Sequence, residues 1–379
     1  MYLLHTEEQK MFVDQLRKMV DSKVAPRAAE IDEKGEFPWE LKELFQEMGL
    51  LGLGVPEEYG GTHQGHIYLC LAVEEIARAC VSSSLIVQVQ AVAWDPILIG
   101  GTEEQKKKYG PMVATGEMLM SFGLTEPGAG SDSAAMATRA VRNGDQYIIS
   151  GTKCFITNGP VADAIVLFAM TDASKGVKGV SAFAVPMDAP GVTIAPLDRK
   201  MGIKGSPTAQ VVFEDVEIPS DNLIGQEGEG FVYAMKALDR SRSVIAAQAC
   251  GLAKGALEQA VKYAKDRVQF GKPIGQFQGI GWMLADMAAE VDAARSLVYK
   301  AAQLIEQDDP DKGYLSAASK VVASNTAMKV TTDALQIAGG YGYMKEFPFE
   351  RMMRDAKMTQ IYEGTNQIMK LIISRKLMK

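Results

Sequence analysis

Histidine and cysteine are scarce in this chain of 379 residues, and the scarcity removes several kinds of chemistry at the outset. There are three histidines, and the only close pair, His63 and His66, sits in a Gly-rich stretch with no cysteine nearby, so no metal is expected. The four cysteines, Cys70, Cys80, Cys154 and Cys250, are widely scattered and form no Cys-x-x-Cys. They imply packed, reduced thiols in a cytoplasmic protein rather than a disulfide framework. No run of 18 apolar residues occurs, so no membrane span is expected. The opening Met1-Tyr2-Leu3-Leu4-His5-Thr6 lacks the pattern of a signal or transit peptide. Basic charge is in deficit, with 40 Lys and Arg against 47 Asp and Glu, and that argues against a nucleic-acid partner, which needs a basic field. No Gly-x-Gly-x-x-Gly follows a strand pattern, and Gly128-Ala129-Gly130-Ser131 fails that template, so a Rossmann dinucleotide site is not indicated. Internal repeats and low-complexity stretches are also missing.

Enough apolar sequence remains, 47% of residues, to fill two or three domain cores. The pattern along the chain divides it into three parts, giving an α+β multidomain protein. Residues 1–120 read as helical. Thr6 with Gln9 makes a capping box, and Phe12, Leu16, Met19 and Val20 follow at helical spacing. Pro38 opens a second helix, and 69–79 and 82–100 carry two more apolar ones. Residues 121–225 change character. Asn143-Gly144-Asp145 marks a hairpin, followed by the apolar runs 164–170 and 180–185 and by Val211, Phe213 and Val216. Residues 226–379 return to long helical periods near 229–265, 276–307, 313–338 and 349–376.

Four short motifs stand out against that background. They are Leu124-Thr125-Glu126-Pro127-Gly128-Ala129-Gly130-Ser131-Asp132, Lys153-Cys154-Phe155-Ile156-Thr157-Asn158-Gly159, Asp266-Arg267-Val268-Gln269-Phe270-Gly271, and Ile361-Tyr362-Glu363-Gly364-Thr365-Asn366-Gln367-Ile368. In the last, a single carboxylate interrupts an apolar helical pattern beside a glycine. Glu363 there reads either as a surface loop residue or as a general base held at a helix-to-loop junction, where partial desolvation would raise its pKa toward the working pH.

The order and spacing of these motifs, from about Thr6 to the C-terminus, resemble the acyl-CoA dehydrogenase family, of the short- or medium-chain bacterial type. The resemblance implies an N-terminal helical domain, a middle β-barrel domain and a C-terminal four-helix bundle. It also implies FAD, an acyl-CoA substrate oxidised to its 2-enoyl form, electrons passed to electron-transferring flavoprotein, and a homotetramer. In such an enzyme Glu363 removes the α-proton while the β-hydrogen leaves as hydride to flavin N5. The thioester carbonyl is polarised by the Glu363 backbone N–H and a flavin ribityl hydroxyl, and one such donor is typically worth roughly 10²–10³ in rate.

Residue by residue, the resemblance puts Phe122, Leu124, Thr125, Gly130, Ser131, Phe155 and Thr157 on the flavin. Phe155 stands where relatives often carry Trp. Arg267, whose fork suits a pyrophosphate, joins Gln269, Phe270, Gln336, Gly339, Gly340, Thr365 and Gln367 as FAD contacts, in a site shared with a neighbouring subunit. Ser131, Asp239, Arg242, Gln88, Ala91, Tyr362 and Gly364 fall to the substrate. Ser241 occupies the position where some relatives carry the base, and serine cannot serve.

Gln88, Ala91 and Asp95 share one helical face at i, i+3 and i+7. That face points either to solvent, to buried hydrogen bonds, or into the acyl pocket; with Gln90 and Trp94 nearby, the last suits a bulky, branched or cyclic acyl group. Ser83 stands where glutaryl-type relatives carry an Arg, so a dicarboxylic substrate is not favoured, although Arg240 leaves it open. Two alternatives to the dehydrogenase stay open: an enoyl-CoA reductase running the reaction backwards, and an inactive acyl-CoA-binding protein.

Overall fold

The computed structural model describes residues 6–62 and 65–378; His63 therefore lies outside the described residues. Among the described residues six α-helices come first: α1 (Glu7–Met19), α2 (Ala28–Lys34), α3 (Trp39–Glu47), α4 (His66–Ala79), α5 (Val81–Gly100) and α6 (Glu103–Thr115). The capping box is formed as expected. Thr6 Oγ1 accepts from the Gln9 amide at 3.2 Å and Gln9 Oε1 from the Thr6 amide at 3.1 Å. Thr102 and Gln105 repeat the device at the start of α6. Helix α5 is long and apolar enough to cross a membrane by length and composition, but 78% of that window is buried inside the fold, as in a core helix.

Eight strands follow: β1 (Met120–Gly123), β2 (Arg139–Asn143), β3 (Gln146–Thr157), β4 (Ala164–Met170), β5 (Val180–Pro186), β6 (Val192–Ile194), β7 (Thr208–Pro219) and β8 (Leu223–Ile224). They form one sheet in the order β6-β7-β3-β2-β4-β5-β8, with β1 parallel to β4. The hairpin at Gly144 is a two-residue loop, since Asn143 pairs with Gln146 and Gly144 has φ +63°. Strand β3 slips register against β7 between Lys153 and Ile156. That bulge gives Phe155 a φ of +56° and turns its ring out of the sheet, 67% exposed.

The chain returns to helix with α7 (Gly230–Asp266). A small hairpin, β9 (Val268–Gln269) with β10 (Lys272–Pro273), leads into α8 (Gln278–Glu306), α9 (Lys312–Ala338), α10 (Phe349–Thr359) and α11 (Asn366–Leu377). The helical period expected over 349–376 is thus two helices. Glu363 and Gly364, with φ +51° and +96°, break it in a turn.

One core runs through both helical parts, from Leu16, Phe45, Val73 and Ile86 to Val244, Met287, Val298 and Met352. Its tightest crossing is α4 on α7. A side chain at Gly251 or Gly255 would begin about 2.0 Å from the carbonyl oxygens of Glu74 and Arg78, so only glycine lets the two backbones meet. A second core lies between α5, α6 and the sheet, around Trp94, Tyr109 and Phe168. A third, around Tyr147, Phe183 and Phe213, fills the sheet domain. All four cysteines are buried and unpaired.

Candidate active site

Glu363 sits in the turn between α10 and α11, held from four directions. Arg242 Nε of α7 donates to its carbonyl oxygen at 3.4 Å, and Lys320 Nζ of α9 donates to the next carbonyl, of Gly364, at 2.5 Å. These two bonds secure a backbone that a non-glycine residue at positive φ would otherwise leave strained. Gln88 Nε2 of α5 donates to carboxylate Oε1 at 2.5 Å and to Ser241 Oγ at 3.2 Å. The adjacent Tyr362 hydroxyl donates to Gln248 Oε1, which fixes the turn against α7.

The second carboxylate oxygen is different. Glu363 Oε2 is buried and has no hydrogen-bond partner among the described residues. Burial pushes the Glu363 carboxyl above its usual range, against the opposing pull of Ser241, Lys320, Gln88 and Arg242. A carboxylate with one oxygen anchored and the other unpaired is arranged to accept a proton. The backbone bonds of the turn start from the amides of Ile361, Tyr362 and Asn366; among the described residues the Glu363 amide is not one of the donors.

The upstream flavin-motif residues gather at the β1 end of the sheet. Phe122 lies in β1 with its ring 5.0 Å from that of Phe168, and Leu124 follows it, buried. The Thr125 carbonyl accepts from the Cys154 amide at 2.9 Å, which ties the first motif to the second beside exposed Phe155. Thr157 closes β3 opposite Thr208. Gly130 and Ser131 are exposed, and nothing lies within 4 Å of where a side chain on Gly128 or Gly130 would begin.

Arg267, Gln269, Gly339 and Gly340 line a single cavity of about 500 Å³ with Tyr263, Ile337 and Tyr341. The Arg267 guanidinium lies 5.3 Å from the Tyr341 ring centroid. No residue of β1 or β3 borders this cavity. Phe270 is 93% exposed at the tip of the β9–β10 hairpin, and Gln336 and Gln367 are exposed. Thr365 caps α11, accepting from the Ile368 amide at 3.3 Å.

The substrate residues divide. Gln88 lies against the Glu363 carboxylate, and Tyr362 and Gly364 flank Glu363 in its turn. Arg242 is 4% exposed and paired with Asp239 at 2.5 Å, so it braces the base turn from inside the fold. Ala91 faces Gly54 in the N-terminal domain. Of the alternatives for the α5 face, buried hydrogen bonds hold for Gln88 and for Asp95, whose Oδ1 takes the Arg240 Nε at 2.9 Å. Gln90 points elsewhere: its amide bonds Val113 O, Met118 O and Met120 N, stapling α6 to β1.

Sequence reasoning passed over Lys320, Glu126 and Lys153. Lys320 is fully buried, the single cation in Ser316-Ala317-Ala318-Ser319-Lys320, and a charge among small helix residues was the available signal. Lys153 and Glu126 lay within two of the quoted motifs but only the fold pairs them, at 2.7 Å.

The chain is thus a sheet domain between two helical ones, with a desolvated carboxylate held in the turn between α10 and α11. Three family models cover the chain: acyl-CoA dehydrogenase N-terminal domain over 6–117, middle domain over 121–216 and C-terminal domain over 228–378. A cyclohex-1-ene-1-carbonyl-CoA dehydrogenase of Geobacter metallireducens is 49% identical over 98% of both chains. The solved butyryl-CoA dehydrogenase of Megasphaera elsdenii superposes with a TM-score of 0.97 at 43% identity over the whole of both chains. A chain of the structure described as electron transferring flavoprotein of Acidaminococcus fermentans does so at 0.97 and 46%, again over the whole of both. The chain belongs to the acyl-CoA dehydrogenase family. It is accordingly an oxidoreductase acting on an acyl-CoA, within a family of flavoproteins.

Proposed function

We propose that the protein is an FAD-dependent acyl-CoA dehydrogenase that forms the 2-enoyl-CoA, with Glu363 as the general base. The observation that carries this reading is the Glu363 carboxylate itself: raised in pKa by burial, Oε1 on Gln88, and Oε2 out of solvent without a partner among the described residues. The residues present fit a flavin dinucleotide. Open glycines at 128, 130, 339 and 340 permit close backbone approach, Phe155 offers an exposed aromatic face, and Arg267 and Gln269 supply polar groups to a cavity large enough for part of a nucleotide. Phe122, Leu124, Thr125, Gly130, Ser131, Phe155 and Thr157 would hold the ring end. Arg267, Gln269, Phe270, Gln336, Gly339, Gly340, Thr365 and Gln367 would hold the other. When bound, FAD supplies the hydride acceptor.

The chain's own contribution is to hold Glu363 dry and oriented, to offer its backbone N–H to the thioester carbonyl, and to keep the Arg242–Asp239 pair beneath it. The cavity at Arg267 is lined by no residue of β1 or β3 of the same chain, which supports a homo-oligomer with each cofactor between two subunits, and a tetramer follows the family pattern. The electron acceptor is electron-transferring flavoprotein, a reading supported by the likeness to the Acidaminococcus structure.

For the acyl group, the structure weighs against a dicarboxylic acid, because Arg240 is already paired with buried Asp95. A compact cyclic or branched acyl group is the proposed substrate, supported by the likeness to the Geobacter enzyme. The likeness to butyryl-CoA dehydrogenase makes short straight chains the competitor to beat. Anaerobic bleaching of bound flavin by a panel of acyl-CoAs tests both levels. Cyclohexanecarboxyl-CoA should exceed octanoyl-CoA in kcat/KM. A tenfold win for four- to eight-carbon straight chains, about 1.4 kcal/mol of transition-state preference, would refute the bulky-substrate reading. Glu363→Gln should keep its flavin and lose bleaching by a factor of about 10² or more; retained bleaching would mean another base.

A further inference from the structure

Two cations and one amide converge on the Glu363 turn, and they divide the work unequally. Arg242 and Lys320 spend their hydrogen bonds on the carbonyl oxygens of Glu363 and Gly364, not on the carboxylate. The carboxylate instead meets two neutral groups, the Gln88 amide, which donates to Oε1, and the Ser241 hydroxyl beside it. Gln88 is 2% exposed, and the two N–H groups of its amide go to Glu363 Oε1 and Ser241 Oγ.

There is a physical reason for that division. A cation bonded directly to the carboxylate would depress its pKa and blunt it as a base, whereas an amide donor orients the group at smaller cost in basicity. Without the amide, the carboxylate would keep only the Ser241 hydroxyl and lose the bond that ties Oε1 to α5.

We propose that Gln88 is a positioning residue for the reaction: it holds Glu363 Oε1 against the α5–α7 interface and reserves Oε2 for the substrate proton. The inference rests on Glu363 being the base. The charged and titratable groups facing that carboxylate are Arg242, itself paired with Asp239, on α7; Lys320 on α9; and Tyr362 in the same turn. Gln88 makes its side-chain bonds to Glu363 and Ser241, not to these groups. Ser241 on α7 adds a hydroxyl that favours the charged form.

The test is the pH dependence of flavin reduction by acyl-CoA, followed anaerobically in the flavin-loaded enzyme, with Gln88→Leu and Gln88→Glu. In the leucine variant the acid limb should move up by about one pH unit, as expected on loss of a donor to the charged form. The plateau rate should fall about tenfold or more through misorientation, with little change in KM. The near-isosteric glutamate puts a second carboxyl at hydrogen-bond distance from the base. The pair must then share a proton, so the limb should move further up than in the leucine variant. The infrared band of the protonated Glu363 carboxyl, identified by its disappearance in Glu363→Gln, should shift its titration in parallel without any turnover. If both Gln88 variants keep their flavin and show an unmoved acid limb and an unmoved band, the amide only fills space and the proposal fails while the assignment of the base stands. If Glu363→Gln still bleaches flavin, the base assignment and this inference fall together. Should the leucine variant not fold, the glutamate variant alone decides between a moved and an unmoved limb.

Discussion

Lys153 has its ammonium group at 0% exposure, bonded to Glu126 at 2.7 Å and to the Leu124 carbonyl at 3.1 Å. Glu126 also accepts the amides of Ala137 and Thr138, at 2.6 and 3.0 Å. Burial lowers the Lys153 pKa to about 8, yet the pair still favours the charged state at neutral pH because Glu126 is pulled below its usual range by Lys153 and these donors. Removing one partner of such a pair leaves an uncompensated buried charge, a loss of roughly 3–5 kcal/mol. Lys153→Met should therefore lower the thermal midpoint sharply, and Lys153→Met with Glu126→Gln should recover a large part of it. A single variant as stable as the parent would mean that water reaches the site. Because the pair grips the backbone at Leu124, the single variant should also weaken flavin retention. Glu126 and Lys153 are 27 residues apart, and spacing alone gives no hint that they meet. The same holds for Gln88 and Glu363, 275 apart: Glu363 stood out in the sequence as a candidate base, whereas its contact with Gln88 needs the fold.

Elements were more legible than residues where local chemistry set their ends. The Thr6 capping box and the Gly144 hairpin formed as read, because each is decided by groups within four residues. Across 349–376 the apolar period runs on, and the Glu363 motif alone marks the break between α10 and α11. What stops the helix is the positive φ at Glu363 and Gly364, held by Lys320 and Arg242 from two other helices. Helix α10 also forms the joint between domains. Asp355 Oδ1 accepts the Ile203 amide at 2.6 Å, and Arg354 reaches Asp32 of α2 at 2.6 Å and the Met201 carbonyl at 2.9 Å. Asp355 is 4% exposed, and burial raises its pKa to about 6, with Asp32 adding to the rise and Ile203, Arg351 and Arg354 opposing it. Its folded pKa lies above the unfolded value near 3.8, so the folded state binds the extra proton between the two. Stability therefore falls as pH rises from about 4 to about 6, by roughly 3 kcal/mol at about 1.4 kcal/mol per unit. Asp355→Asn keeps an acceptor for Ile203 and removes the titration. The parent-minus-variant difference in unfolding free energy, measured by denaturant titration at pH 4, 5, 6 and 7, should grow against the parent over that window. A flat difference would place the Asp355 pKa near its ordinary value.

At the scale of the molecule, the helical–sheet–helical order came from the switch in hydrophobic period, and the family from four motifs read together. The way the helical ends share one core was not legible, since the α4–α7 crossing depends on Gly251 and Gly255 meeting a backbone about 180 residues upstream. The same scale decides what Arg267 does. It closes α7, faces Tyr341 across a cavity, and stands beside a hairpin whose tip, Phe270, is 93% exposed, with Val268 at 51% and Tyr343 at 78%. That much exposed apolar surface around a guanidinium is unfavourable for an isolated chain and suits a contact with a second copy. If Arg267 holds the FAD pyrophosphate across that contact, cofactor and assembly are linked, because whatever binds only the assembled form stabilises it. Arg267→Ala should then lose flavin on gel filtration and shift toward smaller species at low protein concentration, and added FAD should reverse both. Arg267→Lys should recover only part, since lysine keeps the charge and lacks the bidentate fork. Phe270→Ala should weaken assembly at saturating FAD, separating the apolar contact from the charge. Full flavin occupancy together with an unchanged sedimentation profile in Arg267→Ala would remove the arginine from the cofactor site and leave the hairpin as a surface feature of the single chain.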